Sequence, residues 1–181
     1  MIPYKKQYTF KIENSTTLKT RLNHYFKQYD FLFEEVAENQ FIYFKKFSFL
    51  DGWKMNPLSW ESKVVITIKN NTLSIDYYNE GNAQITPFAF DYLFSEFFKN
   101  LELYINQTIN FEIKNQVAIQ KAKQKIVKHF FIIIASVFAF VLLGMYLKET
   151  FNSNFVGYFS VIIGSYLSLK LINDYWFKKI T

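Results

Sequence analysis

Few residues of this chain have the type and spacing to do chemistry. A general base or metal ligand would most naturally be histidine, and the two histidines, His24 and His129, lie far apart in the sequence. His24 stands in a helical pattern beside Tyr25, where a rim histidine is the expected role. His129 adjoins Lys128 at the border of a long apolar stretch, and that interfacial position accounts for it. Two separated imidazoles do not make a zinc site, which needs several convergent ligands. Glu34, Glu35 and Glu38 cluster at a strand end and turn. A solvated acidic edge is the expected reading, because a divalent ion would require further oxygen ligands. The chain has no cysteine, so disulfides, thiolate metal sites and cysteine nucleophiles are excluded. Its five glycines form no phosphate-cradling loop: Gly52 and Gly81 read as isolated turn residues, and the others fall in apolar stretches. There is no Gly-x-Ser-x-Gly elbow. The expectation is a non-enzymatic chain with no cofactor and no metal.

Binding is the better prospect. "FSFLDGWKMNPLSW", residues 47–60, places two Trp, two Phe, two Leu and a Met in what otherwise reads as a long connection between strands. Connections of this length are often functional. Trp53, Met55 and Trp60 are therefore the candidate partner surface, or a surface that dips into a bilayer interface. The competing expectation is that Trp53 and Trp60 plug the open end of a small sheet.

The elements that must position these residues follow from periodicity. In "QYTFKIE", residues 7–13, Tyr8, Phe10 and Ile12 alternate as in a strand. Ser15 or Thr16 is placed to cap a helix that carries Leu18, Leu22, Tyr25 and Phe26 on one side. "YDFLFEEV" and "FIYFKKFSF" read as strands about a short turn. Val64, Ile66 and Ile68 alternate, Asn70–Asn71 turns, and Leu73, Ile75 and Tyr77 alternate again. Thr86 as N-cap and Pro87 at the first position open a helix with a stripe of Phe90, Phe94, Phe97, Leu101 and Tyr104. The order β-α-β-β-β-β-α predicts an α+β domain over residues 1–110, an antiparallel sheet with its helices on one face.

Charge divides the chain. Residues 1–110 hold twelve basic and twelve acidic side chains, whereas 111–181 hold nine basic and three acidic, which supplies the whole net charge of +6. A neutral first part offers no basic face for nucleic acid. The second part reads as a basic juxtamembrane helix or linker (111–129), a first transmembrane helix (130–147), an outer turn (148–154), a second transmembrane helix (155–172) and a tail (173–181). Each eighteen-residue span is about 27 Å long at ~1.5 Å per residue, close to the ~30 Å hydrocarbon layer. The segment "MIPYKKQYTF" lacks the apolar core of a signal peptide. Lys114, Lys121, Lys123, Lys125, Lys128, Lys170, Lys178 and Lys179 flank one side of the pair, against Lys148 alone on the other. By the positive-inside rule both termini are cytoplasmic. Lys121, Lys123, Lys125, Lys128, Lys178 and Lys179 set that topology and could also meet anionic lipid headgroups. The bias to lysine, with a single arginine, and to Asn, Ile and Phe suits an AT-rich bacterial genome, hence a bacterial inner membrane.

Gly157, Ser160, Gly164 and Ser168 form a ridge of small residues on the second span, where another helix can approach closely. Ala135 and Ala139 are the expected counterpart on the first span, if the ridge packs within the hairpin. If it packs between copies, it makes a homo-oligomer. No Asp, Glu or His lies within the spans to mark an ion path. The functional expectation is a membrane-anchored, non-enzymatic binding or adaptor module that meets membrane lipids and a protein partner. The alternative is an oligomerising, membrane-perturbing effector with a cytosolic sensing domain.

Overall fold

Strand alternation builds the sheet. β4 (Ser62–Lys69) buries Ser62, Val64 and Ile66, and β5 (Thr72–Asn79) buries Leu73, Ile75, Tyr77 and Asn79. Between them Asn70 and Asn71 take φ of 51° and 55°. A two-residue hairpin that matches the strand twist demands that left-handed pair, and asparagine enters the region more readily than other side chains. β2 (Leu32–Ala37) and β3 (Gln40–Lys45) continue the meander, while β1 (Tyr4–Lys11) returns to lie beside β5. The antiparallel order is β1-β5-β4-β3-β2. This computed structural model describes residues 4–13, 17–37, 39–46, 56–79, 87–107 and 109–178, apart from the side chains of 4, 87–88 and 173–178.

One register row across the sheet runs Lys6, Tyr77, Val64, Tyr43, Phe33. Both packing helices sit on that row's face. α1 (Leu18–Lys27) stacks Phe26 on Tyr43 with ring centroids 4.1 Å apart. α2 (Pro87–Gln107) stacks Phe94 on Tyr77 at 3.8 Å and sets Phe98 against Tyr8 at 4.7 Å. The expected α+β layer, with element order β-α-β-β-β-β-α, is therefore the observed one. Its core is unusually aromatic, and each such ring removes a large apolar area from water.

Some boundaries move. β1 starts at Tyr4 and ends at Lys11, although Ile12 N–H still bonds Asn71 O at 2.8 Å. The residue before α1 is Thr17, whose side chain makes no cap bond. Ser15, Thr16 and Thr86, the expected caps, lie outside the described residues.

Burial pushes the phenol pKa of Tyr25, Tyr43 and Tyr77 upward. The folded chain thus holds protons that the unfolded chain releases near the ordinary value of 10.0. Stability from these groups is complete below that pH and falls as pH rises above it. In an alkaline titration, phenolate absorbance from the three is expected to appear only together with loss of the sheet's circular dichroism. Gradual ionisation with the dichroism intact would contradict their burial.

The chain divides into two compact units, Met1–Lys123 and Gln124–Thr181. α3 (Phe111–Phe151) passes through that division as one helix of 41 residues, and α4 (Asn154–Lys178) follows. The expected outer turn of 148–154 shrinks to Asn152–Ser153. Asn152 adopts φ 47°, and Ser153 N–H reaches back to Lys148 O at 3.2 Å. Such a left-handed cap stops a helix in one residue, so Lys148 to Phe151 stay helical. Both helices are long and apolar enough to cross a membrane, with mean hydropathy of 2.6 and 1.6 over their most apolar windows, of which only 6% and 11% is buried.

Candidate functional site

The aromatic connection does not present Trp60 outward. Asn56 Oδ1 accepts from Leu58 N–H at 3.2 Å and opens a single 3-10 turn, Pro57–Ser59. That turn inserts Leu58 into the core and brings Trp60 against Phe90 with centroids 4.7 Å apart. Of the two expectations for Trp60, partner surface or plug of the sheet's open end, the structure fits the plug: the indole is buried against Phe90 of α2 and does not line an exposed surface. Trp53 and Met55 lie outside the described residues, as do Gly52, Gly81 and Glu38.

Near the sheet's opposite edge the chain holds a juxtaposition that sequence reading missed. Lys6 on β1 is ion-paired to Asp91 of α2, its Nζ lies 3.3 Å from Ser95 Oγ, and Tyr8 Oη is 3.0 Å from the same hydroxyl. A serine beside a lysine could in principle be activated if the amine were neutral. Burial works to lower the Lys6 pKa, but Asp91 and Tyr8 more than offset it and leave it raised. The ammonium therefore stays charged at neutral pH and cannot take the serine proton. The cluster pins β1 to α2. Lys6 and Ser95 are too distant in sequence for spacing to have linked them.

The isolated candidates have structural partners. His24 is exposed, with Nδ1 3.2 Å from Tyr104 Oη and its ring edge-on to Phe111. The single arginine, Arg21, donates to Tyr104 O at 2.9 Å and Ile105 O at 2.8 Å, capping the C-terminal carbonyls of α2. His129 is buried on the α3 face that also carries Ala122 and Ile126, while Lys121 and Lys128 are exposed and Lys123 and Lys125 half-buried. Lys178 ends α4 with its side chain outside the described set, and Lys179 lies outside it altogether. Among the described residues no group of His, Asp and Glu could hold a metal ion.

The small ridge packs inside the hairpin. A Cβ on Gly157 would meet Gly144 O at 2.9 Å, one on Gly164 would strike the Phe140 ring at 2.0 Å, and Ser168 Oγ is hydrogen-bonded to Ser136 Oγ. Ser160 Oγ donates to Gly157 O at 2.8 Å. The counterpart on α3 is thus Ser136, Phe140, Gly144 and Lys148, a four-residue repeat. Ala135 and Ala139, expected in that role, are exposed on another side.

What remains open is β2. It is an outer strand, every one of its residues is exposed, and it carries Leu32, Phe33 and Val36 at 49%, 39% and 53% exposure. Among the described residues up to 107 these are the exposed large apolar side chains. A hollow of about 610 Å³ adjoins Phe33 and Tyr43 beneath Asn23 and Lys27, and one of about 650 Å³ runs past Glu34, Ile42 and Phe44. The sequence signal was present, apolar residues on both faces of "FLF", but nothing local says that such a strand ends a sheet. No known family, no curated protein and no solved structure matches the chain.

Proposed function

We propose that this chain is a membrane-anchored, non-enzymatic binding module, with its α+β domain in the cytoplasm and α3 and α4 crossing a bacterial inner membrane as a hairpin. The observation that carries the reading is the single helix α3. Its first turns bury Phe111, Asn115 and Ala118 in the aromatic core, and the same helix goes on as an apolar window of which 6% is buried. A helix of that composition left uncovered in water would be strongly unfavourable, and lipid is the natural solvent for it. The small ridge that would have motivated an oligomerising effector is occupied within the hairpin.

Absence of native cysteine makes topology simple to test. Glu149→Cys and Lys63→Cys both alter exposed positions. Glu149→Cys is expected to react with a membrane-impermeant maleimide on intact spheroplasts, and Lys63→Cys only after lysis. The opposite pattern would reverse the orientation, and release of the protein by alkaline carbonate would remove the membrane from the reading.

A further inference from the structure

We propose that two copies of this chain pair in the membrane through the side of α4 turned away from α3, with Tyr166 meeting its own copy near the bilayer midplane; this goes beyond the binding-module reading and rests on its membrane crossing. Gly157, Gly164 and Ser168 face α3. On the opposite side Phe155, Phe159, Ile162, Tyr166 and Leu169 recur at alternating intervals of four and three, and all five are exposed. That alternation is the seam of a left-handed helix pair. Ile162 and Tyr166, 68% and 64% exposed, stand within it. α3 also carries an exposed stripe, Phe131, Ile134, Phe138 and Leu142, but it is wholly apolar and lipid satisfies it.

Depth sets Tyr166 apart. It lies thirteen residues from Ser153 and seven from Asn173, the polar residues that bound the span, or about 20 Å and 10 Å at ~1.5 Å per residue. Helical side chains lean toward the N-terminus. The phenol therefore points away from the nearer boundary and brings its hydroxyl close to the middle of a ~30 Å hydrocarbon layer. Tyr158, five residues from Ser153, leans instead toward the boundary beside it. No water serves the midplane, and a hydroxyl without a partner there is costly. Ser160 is satisfied within its own helix, donating to Gly157 O at 2.8 Å, and the Ser168 and Ser136 hydroxyls bond each other. A phenol on a rigid ring cannot turn back to its own backbone, and the Tyr166 hydroxyl has no hydrogen bond among the described residues.

Symmetry selects the occupant. Copies inserted alike hold their α4 helices parallel, and a two-fold axis along the membrane normal sets each seam residue against itself at equal depth. A foreign helix fits only if it carries a polar group at this depth, whereas a second copy always brings one. A phenol both donates and accepts, so one Tyr166 donates to the other while Ile162 and Leu169 pack on either side. Lys170 falls beside the seam, three residues from Asn173, so its charge is not forced against its copy.

The lack of native cysteine makes cross-linking the test. In membranes treated with copper phenanthroline, Ile162→Cys is expected to form a disulfide-linked dimer. Leu167→Cys, exposed on another side of α4, is expected to stay monomeric. In mixed micelles Tyr166→Phe, which keeps the ring, is expected to raise the dimer dissociation constant about tenfold. Tyr166→Gln, polar at the same depth, is expected to recover most of that loss. Cross-linking at position 167 in place of 162 would overturn the face, and equal association of wild type and Tyr166→Phe would overturn the hydroxyl contact. A chain retained in carbonate-washed membranes yet monomeric would sink the pair and leave the anchored module standing. A chain washed off by carbonate would remove the membrane crossing and the pair together.

Discussion

Gly144→Leu is expected to open the α3–α4 hairpin, the largest effect of any single change in that unit. Even a bare Cβ at position 144 would lie 2.3 Å from Val161 Cγ2 and 2.8 Å from Gly157 O. A side chain can rotate away, but a carbonyl oxygen in a helix cannot, so the two backbones must part. Gly157 is the reciprocal case, its Cβ placed 2.9 Å from Gly144 O and 2.8 Å from Lys148 Cβ. Gly164 differs: its obstruction is the Phe140 ring, a side chain that can swing aside. Overpacking typically destabilises by about 1–3 kcal/mol, so Gly144→Ala and Gly157→Ala are expected at the upper end of that range, Gly164→Ala at the lower end, and Gly144→Leu beyond it. Reversible unfolding in mixed micelles measures the ranking. A ridge that instead joined two copies would give another result: Gly164→Leu would turn an oligomer into a monomer of unchanged stability.

The phase of that contact shows what sequence can and cannot specify. On a helix apolar all round, polarity does not say which side turns toward its neighbour, and the expectation fell on Ala135 and Ala139. The close approach is set by backbone contact, Gly144 O to Gly157, which only the packed pair reveals. The α+β part was more legible, because alternation at Val64, Ile66, Leu73, Ile75 and Tyr77 and the Asn70–Asn71 turn are local signals that agree with the final sheet. Trp60 stayed open between two readings for a related reason: composition marks a loop as aromatic but does not say whether its rings face in or out. The openness of β2 depends on strand order, a long-range property. "FLFEEV" reads equally well as a central strand until β1 is seen to pair with β5 instead.

Long-range order also underlies the second large effect, in which Tyr25→Ala is expected to destabilise the α+β unit by about 3–5 kcal/mol and Tyr25→Phe by about 1–3 kcal/mol. The Tyr25 side chain is wholly buried, its ring 4.8 Å from Phe97 and 4.5 Å from Phe111. Its hydroxyl donates to Phe97 O at 2.6 Å and accepts from Asn115 Nδ2 at 2.8 Å, and Asn115 Oδ1 accepts from Asn100 Nδ2 at 2.8 Å. This chain ties α1 and α2 to the first turns of α3, and Asn100 and Asn115 are themselves buried. Tyr25→Phe keeps the ring but strands the Asn115 donor, so its loss is a desolvation penalty rather than a cavity. Asn115→Leu should act through the same atoms, and the double variant should lose less than the sum of the two single changes. Hydrogen exchange locates the effect: protection should fall in α1 and over residues 111–122 of α3 while Phe130–Leu147 keeps its own. Equal loss along the whole of α3 would mean that the polar chain does not hold the stem to the core, and that the helix is instead set by its apolar half.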